Sequence, residues 1–205
     1  MGEDLDKIVQ LCIEIQYFIS ASLQKCEFDE GVKSTLLLTF LSSAIEHHEA
    51  TCLLTRAKRY DTSAHALQRT MTETICRGVW VARIATEPQL MIIWAGDDRP
   101  FPQLKRLKGQ IDKVMGNDLF STTVLEDVDS LNSFTHNGHR QLLKHFNENG
   151  DVCPDYSNED RVRLVKRNIV RLVMGTLPMI DGLGLPEVSA RIADEYAIRF
   201  PPATE

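Results

Sequence analysis

From Asp4 to Phe200 the apolar residues recur three and four positions apart, and no stretch alternates cleanly with period two. Such spacing lines one face of a helix and cannot line one face of a strand. The chain is therefore expected to be all-α, with no sheet of consequence. The expected helices run from Asp4 to about Lys25, Lys33 to about Arg59, and Tyr60–Ser63 (as N-cap segment) to about Thr86. Further helices are expected from Pro88 to Trp94, Gln103 to Met115, Thr122 to Phe146, Ser157 to Leu177, and Leu185 to Phe200. Gly- and Pro-rich turns such as 96–102 and 147–154 separate them. Most connections are short, which favours up-and-down neighbours in one helical bundle. Four or five core helices, starting near 4, 33, 62, 122 and 158, are expected, with the short helices around them.

A chain of 205 residues with 43% hydrophobic content can bury a sizeable core. It has no Ser/Gly/Pro-rich linker and no long repeat, so residues 1–205 are read as one domain. The net charge of −6 and pI near 5.5 disfavour a general nucleic-acid binder but leave room for a local basic patch. Cations do cluster, at Arg56, Lys58 and Arg59, at Lys105, Arg106 and Lys108, and at Arg161, Arg163, Lys166, Arg167 and Arg171. Each cluster reads as a solvated helix face. Five scattered cysteines without a CxxC pair fit free thiols in a reducing compartment. The acidic start is read as carrying no signal peptide, and every long apolar stretch is broken by polar residues. A cytoplasmic protein without a membrane partner is expected.

Several polar residues sit against the apolar pattern. On the second helix His48 shares a stripe with Leu37, Leu41, Ala44 and Cys52, while His47 points about 100° away. Such a pair does not suit one metal ion. His48 is either a hydrogen-bonded core histidine or a residue facing a cleft. On the third helix Arg69, Glu73 and Arg77 step by four and form a charged arc with Arg83, opposite Leu67, Met71, Ile75, Val79 and Ala82. Trp80 and Ile84 fall in the charged arc, so a neighbouring helix or a partner subunit is expected to cover part of it. No metal-ligand pair has good spacing, no cofactor motif is present, and no cysteine is read as having a histidine close by in sequence.

The segment Ser133–His145 concentrates three of the six histidines. His136 and Arg140 share one side of the expected helix. Arg140 and His145, five apart, diverge by about 140° unless the helix bends near Gly138 or ends early. Histidine suits general acid–base work near neutral pH, and arginine's planar fork matches a phosphate. With the RNA's own 2′-OH as nucleophile, His136, Arg140 and His145 hold the residue types for metal-independent RNA cleavage.

Two stretches resemble a family. His47-His-Glu-Ala, Ser63-Ala-His-Ala-Leu67-Gln-Arg69, Glu73 and Cys76-Arg-Gly-Val-Trp80, with the later Phe134-Thr-His-Asn-Gly138, are similar to a group of uncharacterised bacterial helical proteins. That group resembles the HEPN superfamily, helical bundles that often dimerise and often act as ribonucleases in toxin or phage-defence systems. Arg140-x4-His145 resembles the HEPN nuclease motif, an arginine followed after four to six residues by histidine. The resemblance implies Arg140 as phosphate clamp and His136 or His145 as acid or base. Arg69 and Glu73 would orient them, with His48, Arg77, Trp80 and Thr135 as further site residues. It also implies RNA as substrate and a homodimer or partner protein. The rival is a non-catalytic binding or dimerisation module, in which Arg69, Glu73, His48 and His136 form a structural polar network.

Overall fold

A computed structural model describes residues 4–125, 144 and 156–201. Among them the chain forms eight helices and no strand: α1 (Leu5–Leu23), α2 (Val32–Arg56), α3 (Asp61–Arg83), α4 (Glu87–Trp94), α5 (Leu104–Met115), α6 (Leu119–Val124), α7 (Asn158–Gly182) and α8 (Pro186–Arg199). Local chemistry explains several of the boundaries. Asp4 caps α1 by accepting from the Asp6 amide at 3.0 Å. At α7, Ser157 and Asp160 form a reciprocal capping box, at 3.0 and 3.1 Å. Gly116, with φ of 73°, ends α5 in the left-handed conformation that glycine takes without a Cβ penalty.

The bundle is built around α7, which packs against α1, α2, α3, α6 and α8. α2 and α3 form an antiparallel pair across a four-residue connection, and α4 and α5 lie on α2 and α3 respectively. Val9, Cys12, Ile15, Leu37, Leu41, Ile75, Val79, Ile169 and Leu172 meet in the core, and Leu107, Ile111 and Ile192 extend it under α5 and α8. Close approach of α3 to α7 depends on missing side chains. A Cβ on Gly78 would stand 2.2 Å from Met179 Sδ, and one on Gly175 would stand 2.3 Å from Ile75 Cγ2. Thus the glycine after Arg77 is a packing requirement.

The expected boundaries differ from the structure in places. α3 starts at Asp61 with Tyr60 as N-cap and no side-chain cap bond, because the Asp61 carboxylate is bound by Arg161 instead. α2 ends at Arg56, and Lys58 turns left-handed with φ of 56°. A helix beginning at Thr122 is replaced by short α6, which stops at Leu125 (φ −106°, ψ 4°). The remainder of that expected helix, to Phe146, lies outside the described residues apart from Lys144. α7 runs through Pro178 to Gly182, although proline removes a helical donor. Burial of Pro178, Met179 and Ile180 outweighs that loss. No helix among the described residues is long and apolar enough to cross a membrane.

Candidate functional site

The charged arc of α3 lies half open at the surface. Glu73 Oε1 accepts from Arg77 Nη2 at 3.2 Å, whereas Arg69 Nη2 stands 3.9 Å from Glu73 Oε2. Arg77 also faces Asp98 at 3.8 Å and stacks over the Phe101 ring at 4.8 Å. Phe101 in turn packs on Trp80, with ring centroids 5.6 Å apart, and Trp80 Nε1 donates to Gln110 Oε1 at 3.2 Å. The tryptophan in the charged arc is thereby buried under Phe101 and α5. Arg83 leaves the row to pair with Asp181 of α7 at 2.6 Å. On the opposite arc Leu67 is only half-buried, and Gln68 takes the core position.

Arg69 is the unsatisfied member of this row. Its side chain is 17% exposed, and its Nη1 is buried without a hydrogen-bond partner among the described residues. A buried donor left unmade costs about 1–3 kcal/mol. Glu73 is closer to Arg77, so among the described residues one prong of the Arg69 fork is left without an acceptor.

His48 belongs to a buried polar group, in which Asn168 Oδ1 has no hydrogen-bond partner among the described residues. The histidine is fully buried, and Asn168 Nδ2 donates to its Nδ1 at 2.9 Å, which assigns the ring proton to Nε2. Burial pushes the imidazole down to about 4, opposed only in part by a hydrogen bond with the Cys12 backbone. Cys52 Sγ stands 3.6 Å from His48 Nε2. A cysteine does therefore have a histidine close by, one turn earlier on the same stripe, contrary to the expectation from sequence. The pair is unsuited to nucleophilic chemistry, because burial raises the Cys52 thiol to about 12 while lowering the imidazole. A thiolate–imidazolium pair requires the reverse order.

The structure adds residues that the pattern of charges did not single out. Arg171, read with its neighbours as part of a solvated face, is buried. Its Nε donates to Val124 O at 3.2 Å and its Nη1 to Gln68 Oε1 at 2.6 Å, while Gln68 Nε2 donates to Leu164 O at 3.0 Å. Arg161 likewise turns inward, with a two-pronged 2.8 Å pairing to the buried Asp61. The signal was available: Leu164, Asn168, Arg171 and Gly175 fall on one stripe of α7. Nearby, His65 stacks on Tyr156 with centroids 5.2 Å apart, and burial lowers it to about 4 against the pull of Asp61 and Asp160. Lys144, the residue before His145 in sequence, reaches Asp160 at 2.9 Å and lies over the Tyr156 ring at 5.5 Å.

Of the residues expected to form a site, Arg69, Glu73, Arg77 and Trp80 share one face of α3, and His48 is separated from them in the core. Thr135, His136, Gly138, Arg140 and His145 lie outside the described residues. Among the described residues no set of His, Cys, Asp and Glu side chains is arranged to hold a metal ion.

An all-α bundle with a half-buried arginine row defines the class. A model of a family of unknown function, DUF6988, matches residues 41–197, and the chain belongs to that family. No curated protein and no solved structure matches the chain.

Proposed function

We propose that the protein is a HEPN-like helical protein that cleaves RNA without a metal ion, as a component of a bacterial toxin or phage-defence system. Arg140 clamps the scissile phosphate, and His136 or His145 exchanges protons with the 2′-OH and the leaving 5′-oxygen. Arg69 supplies a second phosphate contact from α3, and Glu73 fixes the row's geometry. The observation that supports this reading is the buried Arg69 Nη1, without a partner among the described residues, beside a carboxylate that Arg77 occupies more closely. A guanidinium held with one prong unmade fits an oxyanion ligand, whose oxygens accept in the plane of the fork.

The test is cleavage of labelled single-stranded RNA and tRNA in excess EDTA. Wild-type protein is expected to cut, Arg140→Ala to lose cutting, and Arg69→Ala to cut at least tenfold more slowly. Intact RNA after incubation with folded wild-type protein would sink the reading.

A non-catalytic binding module is the second reading, and the fully buried His48–Asn168–Cys52 group favours it. That group is a structural polar network of the kind a binding scaffold needs, and it leaves His48 no route to a substrate. In that reading Arg69 binds a partner's carboxylate, and Arg140→Ala leaves the affinity unchanged.

A further inference from the structure

α5 turns one side into the bundle and the other away from it. Leu107 and Ile111 are buried, and Leu104 and Met115 pack beside them. Lys105, Arg106, Lys108 and Lys113 are all exposed, and the half-buried Asp112 is the only carboxylate on the helix. Among the described residues none of the four cations has an ion pair or a side-chain hydrogen bond. At about 100° per residue they spread over roughly 160° of the helix surface.

Gly109 lies within that arc. A Cβ there would meet nothing within 4 Å, and its backbone is helical, so neither packing nor conformation requires glycine. Inside a helix, glycine costs about 1 kcal/mol relative to alanine. What it provides is a bare strip of backbone bordered by Lys105, Arg106, Lys113 and the half-buried Asp112, three cations against one carboxylate, low enough for another chain to lie against. The arc itself carries no apolar or aromatic anchor, and the exposed apolar residue of α5, Val114, lies beside it and is not of the aromatic kind that dominates protein–protein interfaces. A polyanion needs none, since neutralising phosphates and releasing their counterions drives its binding.

We infer that the outer face of α5 is a docking surface for the phosphate backbone of RNA, with Lys105, Arg106, Lys108 and Lys113 as its cations and Gly109 as its floor. The choice of RNA rests on the function proposed above; the existence of a polyanion face does not. α5 packs on α3, and Gln110 ties it to Trp80. RNA on α5 therefore lies beside the helix that carries Arg69 and Arg77. In a chain of net charge −6, this face also sets the direction of approach.

The experiment is fluorescence anisotropy of a labelled single-stranded RNA in EDTA, titrated with salt. Its background is the full-length Arg140→Ala protein, in which the proposed cleavage is silenced. Substituting Lys105→Gln, Arg106→Gln, Lys108→Gln and Lys113→Gln together is expected to weaken binding at least tenfold at about 50 mM salt. The log–log salt slope should become shallower by about 0.7 for each phosphate that is no longer neutralised. Gly109→Gln keeps every charge and raises helix propensity, so it should melt at a higher temperature yet bind several-fold more weakly. A purely structural role for Gly109 would not produce that opposition. Unchanged affinity in the quadruple variant, with its fold intact by circular dichroism, overturns the inference. So does polyglutamate competing as well as RNA, which would make the occupant an acidic polypeptide. Salt-dependent binding by a wild-type protein that does not cleave would sink the ribonuclease reading and leave the α5 face standing.

Discussion

His48 is held neutral by its surroundings, and that gives the fold a measurable pH dependence. Burial lowers its pKa from the ordinary 6.5 to about 4. Its contribution to stability is complete above pH 6.5, declines as the unfolded chain gains a proton that the folded chain refuses, and levels off below about 4. The loss across that window is on the order of 3 kcal/mol. His65, lowered in the same direction, adds to it. Urea midpoints are expected to fall steadily between pH 6.5 and 4, and His48→Gln should reduce the slope. A flat midpoint across that range would contradict the burial of His48 in its neutral form. Asn168→Ala, which leaves His48 Nδ1 without its donor, should cost about 1–3 kcal/mol at pH 7 in the same assay.

At the scale of elements, α3 and α7 approach closely because Gly78 and Gly175 carry no side chain. Gly78→Ala and Gly175→Ala are each expected to lower stability by about 1–3 kcal/mol, although alanine is the better helix former. A thermal melt that rises for either variant would show that the two helices can separate without cost. Most of the described helices were legible in the sequence, because apolar spacing repeats on them and burial follows it; short α6 was not, because its six residues are too few to show a period. Boundaries were less so where tertiary contacts overrode local signals. α7 continues through Pro178 because Met179 and Ile180 are buried beyond it, and Asp61 gives up capping to bind Arg161. The row Arg69–Glu73–Arg77 and its covered tryptophan could be read from spacing alone. The inward turns of Arg161 and Arg171 could not be read from charge, because a cluster of cations does not reveal which members find acceptors on another helix.

Across the whole molecule, one ion pair joins distant parts of the chain at the end of the bundle where α3 and α7 begin. Asp61, with a side chain only 1% exposed, is matched by Arg161 one hundred residues later. Removing Arg161 strands a buried carboxylate. Arg161→Ala is expected to cost about 3 kcal/mol or more in chemical denaturation. The double variant with Asp61→Ala should recover part of that loss, because the stranded charge goes with its partner. Strict additivity of the two single substitutions would argue that the pair does not act as a unit.

The buried thiols have a consequence beyond packing. Cys12, Cys52 and Cys76 are fully buried on α1, α2 and α3, and burial raises all three, whereas Cys26 is half-exposed. Of these four described cysteines, a thiol reagent therefore reads Cys26 at once and the other three only when their helices open. The protein carries built-in clocks on three helices. Equal labelling rates for the three in mild denaturant would mean that the bundle opens as one cooperative unit, and separate rates would rank its helices by the free energy at which each lets solvent in.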